Sequence, residues 1–215
     1  MIYALSDFHL SLGGDKPMEV FGGNWENHAE KIKQSCGKLT KYDTLLITGD
    51  VSWATYLETA IPDFAFLDEL LPRKIISKGN HDYWWETLSK QYKFLEKNNF
   101  TNIDFLHNNS YTIEDYAICG TKGATKADEE KIYNRELERL KISLNSAPKE
   151  SKKIVMLHYP PDENFRAMLE EANVESCVYG HLHNDCNNIL NKEINGIKYY
   201  LTSCDYLDFK PIRIS

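Results

Sequence analysis

Short apolar runs separated by longer amphipathic stretches set the pattern of this chain. Seven runs are too short for a helix, and several are rich in Ile, Val and Tyr: Ile2–Leu5, Thr44–Thr48, Lys74–Ile76, Tyr116–Cys119, Ile154–Leu157, Cys177–Tyr179 and Tyr199–Thr202. They are predicted to be strands, and their near-continuous hydrophobicity predicts cover on both faces. Between them, Trp25–Leu39, Tyr56–Leu71, Trp84–Lys97, Ala127–Asn145 and Asn164–Ala172 mix apolar and charged residues at helical spacing. Pro62 falls inside the second and is expected to bend or split it. Glu129, Glu130, Arg135, Glu136, Glu138 and Arg139 make Ala127–Asn145 read as a solvated surface helix. The alternation of strands and helices predicts an α/β architecture, in a single domain spanning residues 1–215. One long irregular stretch, Gly13–Gly23, hangs directly off the first strand.

The chemistry lies where the apolar runs end. Ile2–Leu5 leads into Ser6-Asp7-Phe8-His9, Thr44–Thr48 into Gly49-Asp50, and Lys74–Ile76 into Gly79-Asn80-His81-Asp82. Ile154–Leu157 leads into His158, and Cys177–Tyr179 into Gly180-His181-Leu182-His183. Five of the seven histidines thus sit just past an apolar run. Open α/β sheets bind ligands at the carboxyl ends of their strands, so these clusters are expected to converge on one rim. Asp, His and Asn suit Mn, Fe, Zn or Ni better than Ca or Mg. In an extended or bulged segment, residues i and i+2 point the same way, so Asp7 with His9 and His181 with His183 are expected to face one pocket. Glycines 49, 79 and 180 allow the sharp turns that bring ligands close together.

In order, these blocks read DxH, GD, GNHD, H and GHxH, and the chain is similar in this to the calcineurin-like metallophosphoesterases. The resemblance implies a central β-sandwich of two mixed sheets flanked by helices. It also implies two divalent or trivalent transition-metal ions, one held by Asp7, His9, Asp50 and His183. The other would be held by Asp50, Asn80, His158 and His181, with the Asp50 carboxylate shared. It implies hydrolysis of a phosphomonoester or phosphodiester by a hydroxide that bridges the metals, with His81 as general acid and Asp82 as the residue that orients it.

Departures from the family pattern narrow the substrate. Phosphoprotein phosphatases of the superfamily read GDxxDRG and RGNHE where this chain has Gly49-Asp50-Val51-Ser52-Trp53-Ala54 and Lys78-Gly79-Asn80-His81-Asp82. The bidentate arginine is missing, and a lysine is only a point charge. That argues against a dedicated phosphoprotein phosphatase. A nuclease or cyclic-nucleotide phosphodiesterase is the alternative enzyme, and a non-catalytic binding module is a third reading that the complete ligand set opposes. Trp25, Trp53, Trp84, Trp85, Phe21 and Tyr83 lie near the blocks in sequence; they either wall a pocket, with Gly13–Gly23 as its rim, or pack at strand–helix junctions. Lys122 either lies near the phosphate or belongs to a plain turn, and Asp205 either supports a ligand histidine or is a surface carboxylate. His28 and His107 are not expected to be ligands.

Composition bears on partners and compartment. The net charge of −7 argues against duplex nucleic acid and leaves a small phosphorylated substrate drawn by the metals. Five cysteines form no CxxC pair, and the opening residues carry no leader-like pattern. The expectation is a cytoplasmic protein with no membrane partner.

Overall fold

Alternate side chains of the strands divide between different apolar layers, and that division sets the architecture. In the computed structural model, which describes residues 1–183 and 190–215, the strands are β1 (Ile2–Ala4), β2 (Thr44–Ile47), β3 (Arg73–Ile76), β4 (Ile103–Phe105), β5 (Tyr111–Ile113), β6 (Tyr116–Thr121), β7 (Lys152–Leu157), β8 (Val174–Tyr179), β9 (Glu193–Ile194), β10 (Ile197–Leu201) and β11 (Ile212–Arg213). The helices are α1 (His28–Cys36), α2 (Ile61–Glu69), α3 (Leu88–Asn98), α4 (Glu130–Asn145) and α5 (Glu163–Glu171).

One sheet runs β11-β1-β2-β3-β4 and the other β5-β6-β7-β8-β10-β9. The inner strands of each are parallel, while β11, β5 and β9 pair antiparallel at the edges. Ile2, Ala4, Leu46 and Ile75 from the first sheet share one buried cluster with Ile118, Ile154, Met156 and Val178 from the second. The opposite parity of the first sheet (Leu45, Ile47, Ile76) packs with residues of α1, α2 and α3 such as Ile32, Phe64 and Leu95. That of the second sheet (Val155, Leu157, Cys177, Tyr179) packs with Leu140 of α4 and Leu169 of α5. Both faces of each sheet are therefore covered, which gives a four-layer sandwich of two mixed sheets between helices.

Several elements differ from their predicted form. Pro62 does split its stretch: a 3₁₀ turn at Leu57–Ala60 precedes α2, with the proline in the first helical turn, where its missing N–H costs nothing. Helix α3 begins only at Leu88, leaving Trp84 and Trp85 in the preceding turn. Strands β4, β5, β9 and β11 carry polar or half-exposed residues and run two or three residues each, so no apolar run marks them. Glu136 is buried, not solvated: its carboxylate accepts from Thr121 Oγ1 (2.5 Å) and from Arg139 (2.7 Å). Cys36, Cys119, Cys177 and Cys204 are free and buried, and Cys186 lies outside the described residues. Among the described residues, no helix is long and apolar enough to cross a membrane.

Lys74 of β3 is fully buried, and its ammonium donates to the Leu70 carbonyl at the end of α2 (2.6 Å). The contact places a cation at a helix C-terminus, yet burial wins and lowers the lysine pKa from 10.5 to about 7. Between those values the unfolded chain binds one proton more than the folded chain, so stability rises with pH across this window. The Lys74→Met variant is expected to lose a slope of up to about 1.4 kcal/mol per pH unit in its unfolding free energy. Urea titrations at a series of pH values from 7 to 10 measure it; parallel curves for the two proteins would refute the assignment.

Candidate metal centre

The segments that follow β1, β2 and β3 of one sheet meet those that follow β7, β8 and β10 of the other. Backbone bonds sew them together: Ser6 N donates to Thr202 O (2.7 Å), Cys204 N to Ser6 O (2.9 Å), and Gly180 N to His158 O (3.1 Å). A buried hydroxyl knot reinforces the seam, with Thr48 Oγ1 and Thr48 N both donating to Ser6 Oγ (2.7 and 2.8 Å) and Thr202 Oγ1 2.9 Å from that oxygen. Asp7, His9, Asp50 and His181 all take left-handed backbone, with φ of 56°, 47°, 51° and 70°. Such conformations are costly away from glycine and persist where surrounding bonds enforce them. They also replace the extended geometry expected for Asp7 and His9: two left-handed residues flank Phe8, whose ring is buried in the core. The glycines allow close approach. A Cβ on Gly79 would lie 2.0 Å from Asp50 Oδ1, and one on Gly180 2.3 Å from Asp7 Oδ2.

The seven predicted ligands form one cluster. His9 Nε2 and His183 Nε2 face each other at 3.3 Å. Asp50 Oδ2 lies 3.7 Å from His9 Nε2 on one side and 3.5 Å from His158 Nε2 on the other. Asn80 Oδ1 is 2.6 Å from His158 Nε2 and 2.9 Å from His181 Nδ1. Asp7 accepts from His181 N (3.0 Å) and from Ser203 Oγ (3.1 Å), and its Oδ1 lies 3.9 Å from His183 Nε2. His181 and His183 face different partners of the cluster: one turns to Asn80, the other to His9 and Asp7.

Hydrogen bonds fix what two of the rings present. His158 Nδ1 donates to the Thr48 carbonyl (2.9 Å), so its Nε2 offers a lone pair to Asn80 Oδ1, itself a lone-pair atom. His183 Nδ1 donates to Asp205 (2.8 Å), so its Nε2 lone pair points at His9. At His158 and Asn80 the facing lone pairs repel unless a cation lies between them, whereas His9 can carry its proton on Nε2 and donate to His183. Burial, together with the neighbouring His181, pushes His158 well below its ordinary pKa, so a proton does not fill that role at neutral pH. Burial likewise lowers His9 well below 6.5 and His181 to about 4. For His183, burial acts downward, but Asp205 and Asp7 outweigh it and the net shift is upward.

The carboxylates carry the complementary problem. Asp7, Asp50 and Asp82 are all buried. Burial lifts Asp7 to about 7; burial and then the charges of Asp82 and Asp7 lift Asp50 to about 9. A divalent cation relieves both the repulsion and the desolvation. Bonds of about 2.0–2.1 Å to one ion set ligand atoms roughly 2.8–3.4 Å apart, and the His9–His183 separation falls inside that range. Asp7, His9 and His183 form one compact donor group, and Asp7, Asp50 and His158 another. The residues fit metal ions.

Asp82 needs correction. Its carboxylate accepts from the amides of Asp50 (2.9 Å), Val51 (2.9 Å) and Gly79 (2.7 Å) and from Trp84 Nε1 (3.1 Å), not from His81. It locks the Asp50 and Asn80 turns together; it does not orient His81. The His81 ring lies against Trp53 (centroids 4.6 Å apart), with burial, then Lys16 and His183, lowering its pKa.

The aromatic residues sort in two. Trp53 stacks on His9 (4.9 Å) and Trp25 meets His9 and His183 edge-on (5.9 and 5.8 Å). With Met18 and Phe21 of the Gly13–Gly23 stretch, they line a pocket of about 240 Å³ that opens on His9, His81 and His183. Trp84 is core, Tyr83 is exposed, and Trp85 packs on Phe105 and His107. Sequence reasoning passed over Asp63, which holds both loops at this rim by accepting from Leu12 N (2.7 Å) and from Ser52 Oγ. A larger groove of about 500 Å³, between Tyr56, Glu58 and Lys93, holds none of the ligands.

Buried carboxylates, lone-pair imidazoles and an amide oxygen at the edge of an αββα sandwich define a metal-dependent hydrolase. The family model of the calcineurin-like phosphoesterases matches residues 1–185, and the chain belongs to that family; it is a metal-dependent phosphoesterase. No curated protein matches the chain in sequence. Solved structures share the fold. A protein of unknown function from Aquifex aeolicus, AQ665, is 21% identical with a TM-score of 0.55, over 99% of this chain and 94% of that one. The phosphopantetheinyl hydrolase PptH from Mycobacterium tuberculosis is 12% identical with a TM-score of 0.58, over 100% and 96%. TT1561 of Thermus thermophilus is 15% identical with a TM-score of 0.57, over 84% and 80%.

Two substitutions test the architecture of the centre. Asp205→Ala frees His183 Nδ1 and is expected to weaken metal affinity about 10–100-fold, read by metal titration; an unchanged affinity would make Asp205 a bystander. Gly79→Ala replaces no ligand, yet it is expected to lower bound metal per chain, because the new methyl displaces the Asp50 carboxylate. Full metal content in that variant would contradict the close approach.

Proposed function

We propose that this chain is a binuclear metal-dependent phosphohydrolase that cleaves a phosphomonoester or phosphodiester of a small molecule. One observation carries the reading: Asp50 Oδ2 lies between the His9 and His158 nitrogens, at 3.7 and 3.5 Å. A carboxylate so placed could serve two ions at once, which supports the reading. Asp7, His9, Asp50 and His183 would hold one, and Asp50, Asn80, His158 and His181 the other. When bound, Mn, Fe, Zn or Ni ions supply Lewis acidity toward the phosphoryl oxygens and the attacking water.

The chain's own residues do the rest. Thr48 and Asp205 keep the His158 and His183 lone pairs aimed inward. Asp82 fixes the turns from which Asp50 and Asn80 project. His81 Nδ1 is buried without a partner, which leaves Nε2 to carry a proton to the departing ester oxygen. The aromatic pocket around His81 suits an apolar or flat leaving group. The acidic net charge and the family's chemistry favour a small phosphorylated substrate over duplex nucleic acid. Four buried free thiols favour a reducing, cytoplasmic setting.

The protein stripped of metal and reconstituted with each ion should hydrolyse aryl phosphates or bis-aryl phosphates. Asp50→Ala is expected to lose turnover and both metals together. His81→Ala should keep the metals and slow alkyl esters far more than aryl esters, by roughly 10²–10⁴-fold for the poorest leaving groups. Equal losses on good and poor leaving groups would remove His81 from the acid role. Trp25→Ala and Trp53→Ala are expected to raise KM for aryl esters; unchanged KM values would empty the aromatic pocket of its function.

A further inference from the structure

A second pocket is built partly from the ligand-bearing segments, and its chemistry is the reverse of the aromatic one. It is a cavity of about 100 Å³ lined by Lys78, Lys122, Arg139, Glu136, Thr121 and His107, among others. Lys78 comes from the turn that supplies Asn80, and the Lys122 carbonyl accepts the His158 amide (2.9 Å), so two of its cations are built into the ligand-bearing segments. Arg139 and Glu136 come from α4.

Within this pocket the charges do not balance. Both oxygens of the buried Glu136 carboxylate are taken, by Thr121 and by Arg139. Among the described residues, neither Lys78 nor Lys122 has an ion-pair partner, although both are half-buried. Burial presses the Lys78 pKa down, with Asp82 opposing, Lys122 and Arg139 adding to the depression, and Glu136 opposing it more weakly. Two cations without a carboxylate partner, one of them over the Tyr159 ring, thus share a cavity with room for about three waters or one phosphate-sized group, in a chain whose net charge is −7. No residue lines both this pocket and the aromatic one. The aromatic pocket holds His81, and hence the leaving oxygen; this one is tied to the other donors through Lys122, whose ammonium lies 5.0 Å from the Tyr159 ring, itself packed on His158 and His181.

We propose that the Lys78–Lys122 pocket is an anion subsite, and that the phosphodiester or phosphoanhydride cleaved carries a further phosphate or carboxylate on the arm retained by phosphorus. The substrate class rests on the phosphohydrolase reading above; the subsite itself rests on the lysines.

Alkylphosphonates of two to four carbons, ending in methyl, carboxylate or phosphonate, separate the two questions because none can be hydrolysed. Titration calorimetry on the metal-reconstituted full chain is expected to show an anionic tail binding at least about tenfold tighter than the methyl tail at one chain length. Comparison of carboxylate with phosphonate tails identifies which anion is preferred. Lys78→Ala and Lys122→Ala should each remove most of that gap, and Lys122→Arg should retain it; metal content, measured alongside, confirms a folded centre. An anionic tail that gives no advantage at any length, or a gap that survives in both alanine variants, overturns the subsite. Aryl ester turnover on the same preparations reads the phosphohydrolase assignment separately: absent turnover with bound metal would sink that reading while the affinity gap still decided the subsite.

Discussion

The Asp50 carboxylate is buried between two imidazoles at the seam of two sheets, and the rest of the molecule is arranged to keep it there. Its backbone is left-handed, its Oδ1 accepts the His81 amide at 2.8 Å, and its own amide is held by Asp82. A charge in this position is costly by itself, as the raised pKa of about 9 records. Without a metal the carboxyl takes up a proton at neutral pH; its charged form is stabilised when cations occupy the space between Asp50 and the neutral rings of His9 and His158. The site is strained and electrostatically unfinished, which is what a metal centre demands of its scaffold.

The fold supplies that strain from stable parts. The inter-sheet layer fixes the relative position of the strands, and the hydroxyl knot of Ser6, Thr48 and Thr202 fixes the seam at their carboxyl ends. Ligands contributed by separate sheets can be brought within about 2.8–3.4 Å only if that seam does not slide. Asp82, Asp63 and Asp205 share a task that composition would not suggest: each is a carboxylate spent on holding loops or a ring rather than on substrate.

Much of the site was readable in the chain because its ligand types are chemically specific and each follows an apolar run. Asp7, His9, Asp50, Asn80, His158, His181 and His183 are found in one cluster for that reason, and the two-sheet sandwich is as expected. Other roles were hidden because they depend on which groups face a side chain. Asp82 looks like a partner for the adjacent His81 until three amides are seen to converge on it. Glu136 looks solvated in a charged helix until Thr121 and Arg139 are found on its two oxygens. Trp53 and Trp84 are alike in sequence, yet one stacks on His9 and the other fills the core. The edge strands β4, β5, β9 and β11 were missed because half-exposed pairing leaves no apolar run.

Anomalous diffraction from crystals of the manganese-loaded protein tests the central claim most directly. Two manganese peaks are expected about 3.5–4 Å apart, one on either side of the Asp50 carboxylate. A single peak, or two peaks that do not share Asp50, would contradict it.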